Sequence, residues 1–358
     1  MAERKTPLYD EHVACEGRIV PFAGYLLPVQ YPTGVIAEHN AVREKAGIFD
    51  VSHMGEAMLE GPDALRNLNY ILTNSFDTLL IGSARYTLML YENGGEVDDL
   101  IVYRLGADKF FLVLNASNTE KDIAWLRVHL QGDATLTDLS PVTAQIALQG
   151  PLSKEIIAPL CDASLLPEKN YTFTEKMAVA GVECLVSRTG YTGEFGYELY
   201  MAPEKATAVW KALLENGAVP CGLGCRDTLR LEAAMPLYGH ELGENVNPLA
   251  AGLGFAVKMS KEDFVGKAAL VAQGEPKQIR VGLKATGRGI IREQEPVLSN
   301  GTQIGMTTSG THCPTLGVAC AMAYLDKEFS APGTPVSVLV RGREIAAEVV
   351  ALPFYKHG

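Results

Sequence analysis

The chain has 358 residues, of which 47% are apolar and 20% are charged, and its formal net charge at pH 7 is −11. This length predicts about two or three units with hydrophobic cores of their own, and the composition excludes a disordered or collagen-like chain. Because extended basic surfaces bind nucleic acid and anionic membranes, the acidic balance argues against both as partners.

The N-terminal residues predict a cytoplasmic protein. Residues 1–12 contain neither an apolar h-region nor an amphipathic leader rich in Arg and Ser. Apolar runs such as residues 110–114 are far shorter than the roughly 20 residues that cross a bilayer. We therefore expect no membrane-spanning segment.

Residues 94–102, GGEVDDLIV, join a predicted turn at two glycines to a β-prone run that opens at Asp98. Because side chains alternate between the faces of a strand, Asp98 shares its face with Leu100 and Val102, and Asp99 points to the other face. A carboxylate beside apolar groups is suited to acid–base chemistry. Both aspartates also suit a strand end, where carboxylates accept hydrogen bonds from backbone N–H groups. From this stretch alone the structural interpretation is favoured.

Apolar periodicity predicts both helices and strands through the middle of the chain. The predicted strands lie at 109–116, 177–191 and 196–201, and the predicted helices at 119–130, 207–216 and 225–235. Thr119 is expected to cap the first helix. Gly181 interrupts the second strand, where we expect the turn of a hairpin.

Residues 187–200, SRTGYTGEFGYELY, contain three glycines spaced three residues apart. Glycine lets the backbone turn tightly and approach a ligand closely. Tyr191 offers a ring for stacking, and Glu198 offers two acceptors for a heterocycle edge rich in N–H groups. A glycine-rich hairpin without a ligand remains open as the alternative. The spacing is not a dinucleotide-binding fingerprint, because no strand–turn–helix context follows.

Residues 221–248 place two arginines four positions apart on a predicted helix. Arg226 and Arg230 either pair with internal acids such as Glu232 or bind a ligand carboxylate through the guanidinium fork. The structural network is the favoured interpretation.

The cysteines give no sign of a metal site. The chain has seven, widely scattered, which is typical of reduced thiols in the cytosol. Cys221 and Cys225 are separated by three residues rather than two, and no second pair accompanies them. Buried structural thiols are therefore favoured over zinc ligands, and we expect no metal.

The composition changes near residue 275. The following residues are rich in Gly, Thr and Pro, with short β-prone pieces and turn signals at Asn300-Gly301 and Arg341-Gly342. We predict an α+β protein, with a body at 1–275 and an all-β module at 276–358.

An ordered set of motifs resembles one known family. The stretches are TPLYDEH (6–12), FDVSHMGE (49–56), GGEVDDLIV (94–102), SRTGYTGEFGYEL (187–199), GLGCRDTLRLEA (222–233), PLYGHELGENVNPL (236–249) and TSGTHCPTLG (308–317). Together they closely resemble the T-protein family of the glycine cleavage system, the aminomethyltransferases. Each piece alone is weak, but the ordered set is specific and spans nearly the whole chain.

The resemblance implies a multi-domain fold and a reaction. The expected fold is a folate-binding body of mixed helices and antiparallel sheets, with two intertwined subdomains, followed by a C-terminal β-barrel-like domain. The family transfers the methylene carbon of an aminomethyl group, carried on the lipoyl arm of H-protein, to the co-substrate tetrahydrofolate. The products are 5,10-methylenetetrahydrofolate, ammonia and dihydrolipoyl H-protein. No metal is implied, and lipoylated H-protein is the expected transient partner.

The resemblance also implies site residues. Asp98 matches the essential acid of the family, the first aspartate of its GGxxDD motif. The positions that match the folate pocket are Tyr86, Asn115, Tyr171, Tyr191, Glu198, Arg226 and Phe255, and Tyr238 is expected beside them in the same pocket. Tyr171 matches by spacing only. Many relatives carry tryptophan at the position of Phe255, and phenylalanine keeps a stacking face but lacks the indole N–H donor.

Two other functions remain open at this point. One is a folate-dependent demethylase of a small methylated compound, whose activity would not need H-protein. The other is a non-enzymatic folate-binding relative of the kind associated with iron–sulfur assembly. Those relatives carry a KGCY-type cysteine motif, which this sequence lacks.

Overall fold

The computed structural model describes residues 3–357, and it combines helices with sheets as the α+β prediction requires. The helices are α1 (Tyr9–Ala14), α2 (Val35–Glu44), α3 (Ala64–Ile71), α4 (Thr119–His129), α5 (Ser153–Ile157), α6 (Ala206–Glu215), α7 (Leu223–Glu232) and α8 (Lys267–Gln273). Within the described residues, no helix is long and apolar enough to cross a membrane.

Most of the strands are short. They are β1 (Arg4–Lys5), β2 (Arg18–Phe22), β3 (Tyr25–Gln30), β4 (Gly47–Asp50), β5 (Gly55–Glu60), β6 (Ser83–Leu90), β7 (Glu96–Arg104), β8 (Lys109–Leu114), β9 (Thr135–Asp138), β10 (Ala144–Gln149), β11 (Phe173–Val179), β12 (Val182–Ser187), β13 (Gly196–Met201), β14 (Val219–Pro220), β15 (Gln278–Ala285), β16 (Pro296–Ser299), β17 (Thr302–Cys313), β18 (Val318–Asp326), β19 (Pro335–Val340) and β20 (Arg343–Val350).

The predicted local elements are present with shifted bounds: the helix expected at 225–235 is Leu223–Glu232, and the hairpin expected over 177–191 is formed by Phe173–Val179 and Val182–Ser187. Strands β11 and β12 form the expected hairpin, and Ala180 and Gly181 both have positive φ, 50° and 77°, as a tight hairpin turn requires. Helix α4 begins at Thr119, so Asn118 is the N-cap and the prediction of Thr119 was wrong by one residue. The Thr119 hydroxyl instead donates to the carbonyl of Asn115 at 3.2 Å.

The chain forms two compact units. The first contains residues 3–69, 75–86 and 100–226, and the second contains 70–74, 87–99 and the residues from 227 onward. The division therefore passes through β6, β7 and α7. The boundary near residue 275 stays a prediction.

In the first unit, a six-stranded sheet has the order β11-β12-β13-β10-β4-β14, and a three-stranded sheet has the order β1-β3-β2. A further sheet has the order β6-β7-β8-β5-β9, of which β8, β5 and β9 belong wholly to this unit. The six-stranded sheet buries one face in a core that includes Trp210 and Ile48. Burying one large apolar side chain contributes about 1.5–3 kcal/mol, so this core is a main source of stability for the unit.

In the second unit, strands β15 to β20 form a closed barrel in the order β15-β18-β17-β16-β19-β20, which confirms the predicted C-terminal barrel. Its interior is apolar and includes Leu283, Val297 and Leu325. The predicted turns at Asn300-Gly301 and Arg341-Gly342 join neighbouring strands, and all four residues have positive φ. Closure leaves the barrel without an unpaired edge strand.

Candidate functional site

The two faces of strand β10 differ: one face packs into the core of the first unit, and the other carries polar side chains. Its residues alternate, so Ile146 and Leu148 enter the core that contains Trp210. Gln145 and Gln149 lie on the opposite face of the strand, and both are buried. Two buried amides in a six-residue apolar strand need hydrogen-bond partners, which the neighbouring segments supply.

Strand β13 alternates in the same way. Leu199 belongs to the core, and Glu198 and Tyr200 lie on the opposite, polar face of the strand. The antiparallel register sets Ala147 opposite Glu198 and Gln145 opposite Tyr200. The sheet therefore brings an acid, an amide and a phenol together at one place.

Four polar side chains surround the Glu198 carboxylate, and we call Gln145, Thr189, Tyr200 and Tyr103 the Glu198 cluster. Gln145 Nε2 donates to Glu198 Oε1 at 3.2 Å, and the Thr189 hydroxyl donates to Oε2. The Tyr200 hydroxyl lies 3.5 Å from Oε2, and the Tyr103 hydroxyl lies 3.0 Å from that of Tyr200. Burial raises the pKa of Glu198, and these donors oppose the rise by stabilising the ionised form.

Arg226 supplies a cation beside this carboxylate. Its guanidinium carbon lies 4.8 Å from the centre of the Tyr191 ring, and its charge favours the ionised form of Glu198. Burial lowers the pKa of His53 to about 4, and the positive charge of Arg226 contributes to the shift. The His53 imidazole is therefore neutral at pH 7. A carboxylate acceptor next to a ring and a guanidinium suits a planar heterocycle with N–H donors.

The glycine-rich hairpin wraps around a buried amide. A Cβ at Gly190 or at Gly196 would overlap the side chain of Gln149. Gln149 Nε2 donates to the carbonyl of Thr189 at 3.1 Å, and its Oε1 accepts from the Thr192 hydroxyl at 2.9 Å. We expected these glycines to permit close approach to a ligand, but at these two positions the close neighbour is Gln149.

Three predicted pocket residues lie on segments next to this hairpin or to α4. The Tyr171 carbonyl accepts the N–H of Ala84 at 2.7 Å, and its N–H donates to the carbonyl of Arg188 at 3.0 Å. Tyr171 is 43% exposed, and Tyr86 follows Ala84 by two residues on β6. Asn115 directly follows β8, lies four residues before the start of α4 and is half-buried. The structure thus brings Tyr171 beside the strand that carries Tyr86.

Asp98 belongs to the second unit and is fully buried, whereas Asp99 is half-buried, as strand alternation predicts. The strand begins at Glu96, two residues before the predicted start. One oxygen of Glu96 accepts the N–H of Gly243 at 2.9 Å, and the Tyr238 hydroxyl donates to the Glu96 carbonyl at 3.3 Å. Burial, with the charges of Asp99 and Asp98 adding to it, raises the pKa of Glu96 to about 9. Glu96 is therefore a neutral acid at pH 7.

The turn before this strand needs both of its glycines. Gly94 has φ +85°, and its N–H donates to the carbonyl of Tyr91 at 2.9 Å. A Cβ on Gly95 would overlap the carbonyl oxygen of Glu244. The predicted turn is confirmed, and Gly95 is required by a close backbone approach.

Phe255, also in the second unit, lies in a 3₁₀ turn from Gly254 to Ala256 and is 63% exposed. The Thr73 hydroxyl donates to the carbonyl of Ala256 at 2.9 Å, and the carbonyl of Thr73 accepts the N–H of Lys258 at 2.9 Å. These bonds fix the turn and leave the aromatic ring accessible.

The two arginines of α7 have different partners. Arg230 donates to Asp227 at 2.8 Å, to Glu241 at 3.0 Å and to Ser309 at 2.9 Å. The structural interpretation therefore holds for Arg230. Arg226 instead lies beside Glu198 in the first unit.

Glu38, Cys221 and Cys225 are buried together, and their ligand atoms lie within 4.8 Å of one another. Both Glu38 oxygens already accept backbone N–H groups, from Tyr31 at 2.6 Å and from Gly222 at 2.9 Å. Burial raises the pKa of Glu38 and of the Cys225 thiol, which disfavours the charged forms that a metal binds. The absence of a metal stays a prediction.

A separate cavity of about 1080 Å³ lies within the first unit. Residues 4–7, residues 52–54 and the starts of α4 and α6 supply much of its wall. None of the predicted site residues is among the described residues that line it.

The sequence did not single out the Glu198 cluster. Gln145 and Tyr103 lie far from Glu198 in the chain. Pairing of β10 with β13 brings Gln145 to it, and Tyr103 reaches it from a strand of another sheet, through its contact with Tyr200. One signal was present: AQIALQ places glutamines on one face of an otherwise apolar strand.

Comparison with known proteins gives a consistent result over the whole chain. Residues 8–261 match the model of the GCVT N-terminal domain, and residues 279–356 match that of the glycine cleavage T-protein C-terminal barrel domain.

Two curated relatives, each named aminomethyltransferase, come from Halalkalibacterium halodurans and Geobacillus kaustophilus. The first is 47% identical and the second 46%, and each comparison covers 99% of both chains. The crystal structure of glycine cleavage system aminomethyltransferase T from Bartonella henselae is 34% identical, with a TM-score of 0.91 over 99% of each chain. The chain therefore belongs to the glycine cleavage T-protein family, the aminomethyltransferases.

Proposed function

We propose that the protein is the aminomethyltransferase of a glycine cleavage system. It transfers the methylene carbon of the aminomethyl group on lipoylated H-protein to tetrahydrofolate, and it releases ammonia and dihydrolipoyl H-protein. The observation that carries this proposal is the buried Glu198 carboxylate beside Arg226 and Tyr191, in a chain whose residues 8–261 and 279–356 match the two domains of the family.

The residues present fit tetrahydrofolate. A pterin is planar and has an edge rich in N–H groups, so it needs a buried acceptor pair and an aromatic or cationic wall. Glu198 supplies the acceptors, and the Glu198 cluster orients them. Tyr191 and Arg226 supply the wall. The co-substrate contributes the nitrogens that accept the one-carbon unit.

Asp98 is the residue that we assign to proton transfer. Its buried position allows a carboxylate to orient a reacting group and to accept a proton without competition from water. Asp99, on the opposite face of the strand, is assigned a structural role. Glu96 is neutral at pH 7 and so adds no second charge near Asp98.

The remaining predicted positions are assigned to the folate pocket. They are Tyr86, Asn115, Tyr171, Tyr238 and Phe255. At Phe255 the contact is limited to the ring face, because phenylalanine has no N–H donor. We further propose lipoylated H-protein as a transient partner, a cytoplasmic location and no requirement for a metal.

The test compares Asp98→Asn with Asp99→Asn in a reconstituted assay with aminomethylated H-protein and tetrahydrofolate. We expect Asp98→Asn to lose roughly 100- to 10,000-fold in kcat, because general acid–base catalysis contributes about that much. Asp99→Asn, the matched control on the same strand, should stay close to wild type. Near-full activity of Asp98→Asn with unchanged folate binding would contradict the assignment.

The same assay separates the alternative functions. Ammonia release should require aminomethylated H-protein and should stop when unmodified H-protein replaces it. A demethylase would turn over a methylated substrate without H-protein, and a non-enzymatic relative would bind folate without turnover.

A further inference from the structure

Gln145 has an unusual position for a buried side chain. It is 2% exposed, and its Nε2 donates both to Glu198 Oε1 and to the Tyr200 hydroxyl, each at 3.2 Å. Among the described residues, its own Oε1 has no hydrogen-bond partner. A buried amide that leaves its oxygen unpaired costs stability, so an apolar residue would serve folding better at this position. Gln145 is therefore explained by the site and not by the core.

The two Glu198 oxygens accept hydrogen bonds from residues of different segments. Gln145 on β10 donates to Oε1, and Thr189 in the glycine-rich hairpin donates to Oε2. Two contacts on different oxygens fix the plane of a carboxylate, which a single contact does not do. The carboxylate then presents its remaining lone pairs in fixed directions.

Several titratable or charged groups face Glu198 and decide whether it is ionised. They are Tyr200 on the same strand, Tyr103 on β7, Arg226 on α7 with Tyr191 beside it, and Glu56 on β5, which acts on Tyr200. Of these, Arg226 carries a positive charge and favours the carboxylate. Burial works in the opposite direction and is the largest influence on the pKa of Glu198, and the hydrogen bonds from Thr189, Tyr200 and Gln145 oppose it.

We propose that Gln145 is a positioning residue, whose Nε2 donor favours the carboxylate form of Glu198 and orients it to accept N–H groups of the bound pterin. This inference rests on the proposed folate-binding function and names the residue that sets its acceptor geometry. Gln145 acts through Glu198 rather than on the reacting atoms. A protonated or rotated Glu198 would offer one acceptor fewer to the ligand.

The test is the pH dependence of tetrahydrofolate binding to the full chain, measured by anaerobic calorimetric titration between about pH 6 and pH 9. Gln145→Leu removes the donor, which raises the pKa of Glu198 further. We expect its affinity to fall about 10- to 100-fold at pH 7 and to recover as the pH rises, because Glu198 then loses its proton. Gln145→Glu should require a still higher pH, since two adjacent carboxyl groups share a proton.

Ile146→Val is the matched control. It alters the next residue of the same strand on the opposite face, inside the core. It should lower the melting temperature slightly and leave the pH profile of binding unchanged.

The proposal is overturned if Gln145→Leu binds tetrahydrofolate as wild type does at every pH. It is equally overturned if affinity falls by one constant factor at all pH values, because that pattern would mark a structural role. Failure of the wild-type chain to bind tetrahydrofolate would instead refute the proposed function, and this inference with it.

Discussion

At the scale of single residues, Glu96 is a carboxyl group that stays neutral at pH 7. Its carboxyl group is fully buried, and one oxygen has no hydrogen-bond partner among the described residues. An unpaired buried carboxyl is far less costly when it is neutral. The chain therefore accommodates Glu96 by leaving it protonated, beside an Asp98 to which we assign proton transfer.

This protonation predicts how stability depends on pH. The pKa of Glu96 is about 9 when folded, against an ordinary value of about 4.3. Between these values the unfolded chain has released the proton and the folded chain retains it, so Glu96 lowers the free energy of unfolding as the pH rises. The Glu96→Gln variant has no titratable group at this position, so its free energy of unfolding should not decrease with pH for this reason.

Urea denaturation of both proteins at about pH 5.5 and pH 8 measures the effect. The stability of Glu96→Gln relative to wild type should increase with pH, by at most about 1.4 kcal/mol per pH unit. Glu92→Gln, at an exposed position of the same turn, should follow wild type. Parallel curves for Glu96→Gln and wild type would contradict a folded state in which Glu96 is protonated at neutral pH.

At the scale of elements, the turn before β7 depends on close packing of backbone. Gly95→Ala would push a methyl group into the carbonyl of Glu244, and the backbone has little room to move. We expect a loss of about 1–3 kcal/mol in the free energy of unfolding. Asp98 lies three residues beyond, so activity should fall as well.

Gly106→Ala is the control for this substitution. Gly106 lies in the turn between β7 and β8, and the nearest neighbour of an added Cβ is the Lys109 side chain at 3.5 Å. We expect a change within about 0.5 kcal/mol. Equal losses for the two variants would show that the Glu244 contact is not the cause.

Local sequence was sufficient for these elements. The hairpin at Gly181, the turn at Gly94 and the separation of Asp98 from Asp99 follow from turn chemistry and alternation within one segment. The Glu198 cluster did not follow from local sequence, because Gln145 reaches Glu198 through the register of β10 with β13 and Tyr103 reaches it from another sheet. The glycine-rich segment and the family resemblance predicted Glu198 as a site residue, and the resemblance predicted Arg226, but neither gave an account of what holds these side chains.

At the scale of the whole molecule, the predicted boundary near residue 275 has a direct test. Helix α8 ends at Gln273, and the exposed residues Gly274 and Glu275 precede β15. Exposed connections tolerate insertions, since lengthening a loop costs little chain entropy. A Gly–Ser stretch of about six residues after Gly274 should therefore change the melting temperature by no more than about 2 °C.

The same stretch inserted after Leu283, inside a barrel strand, should abolish cooperative unfolding, because it breaks pairing on both sides of β15. Differential scanning calorimetry of the two variants provides the comparison. A large loss from the insertion after Gly274 would mean that the boundary lies elsewhere.

Strand β10 also links correct folding to the presence of a site. Side chains repeat every two residues along a strand, so a slip of one residue would exchange its faces. Gln145 and Gln149 would then enter the core, and Ile146 and Leu148 would take their places. Glu198 would then lose the hydrogen bond from Gln145, and the glycine-rich hairpin would lose its hydrogen bonds with Gln149. A chain with this register shift at β10 would therefore be both unstable and inactive. The fraction of folate binding that returns after refolding would then measure the fraction of molecules in which β10 has the native register.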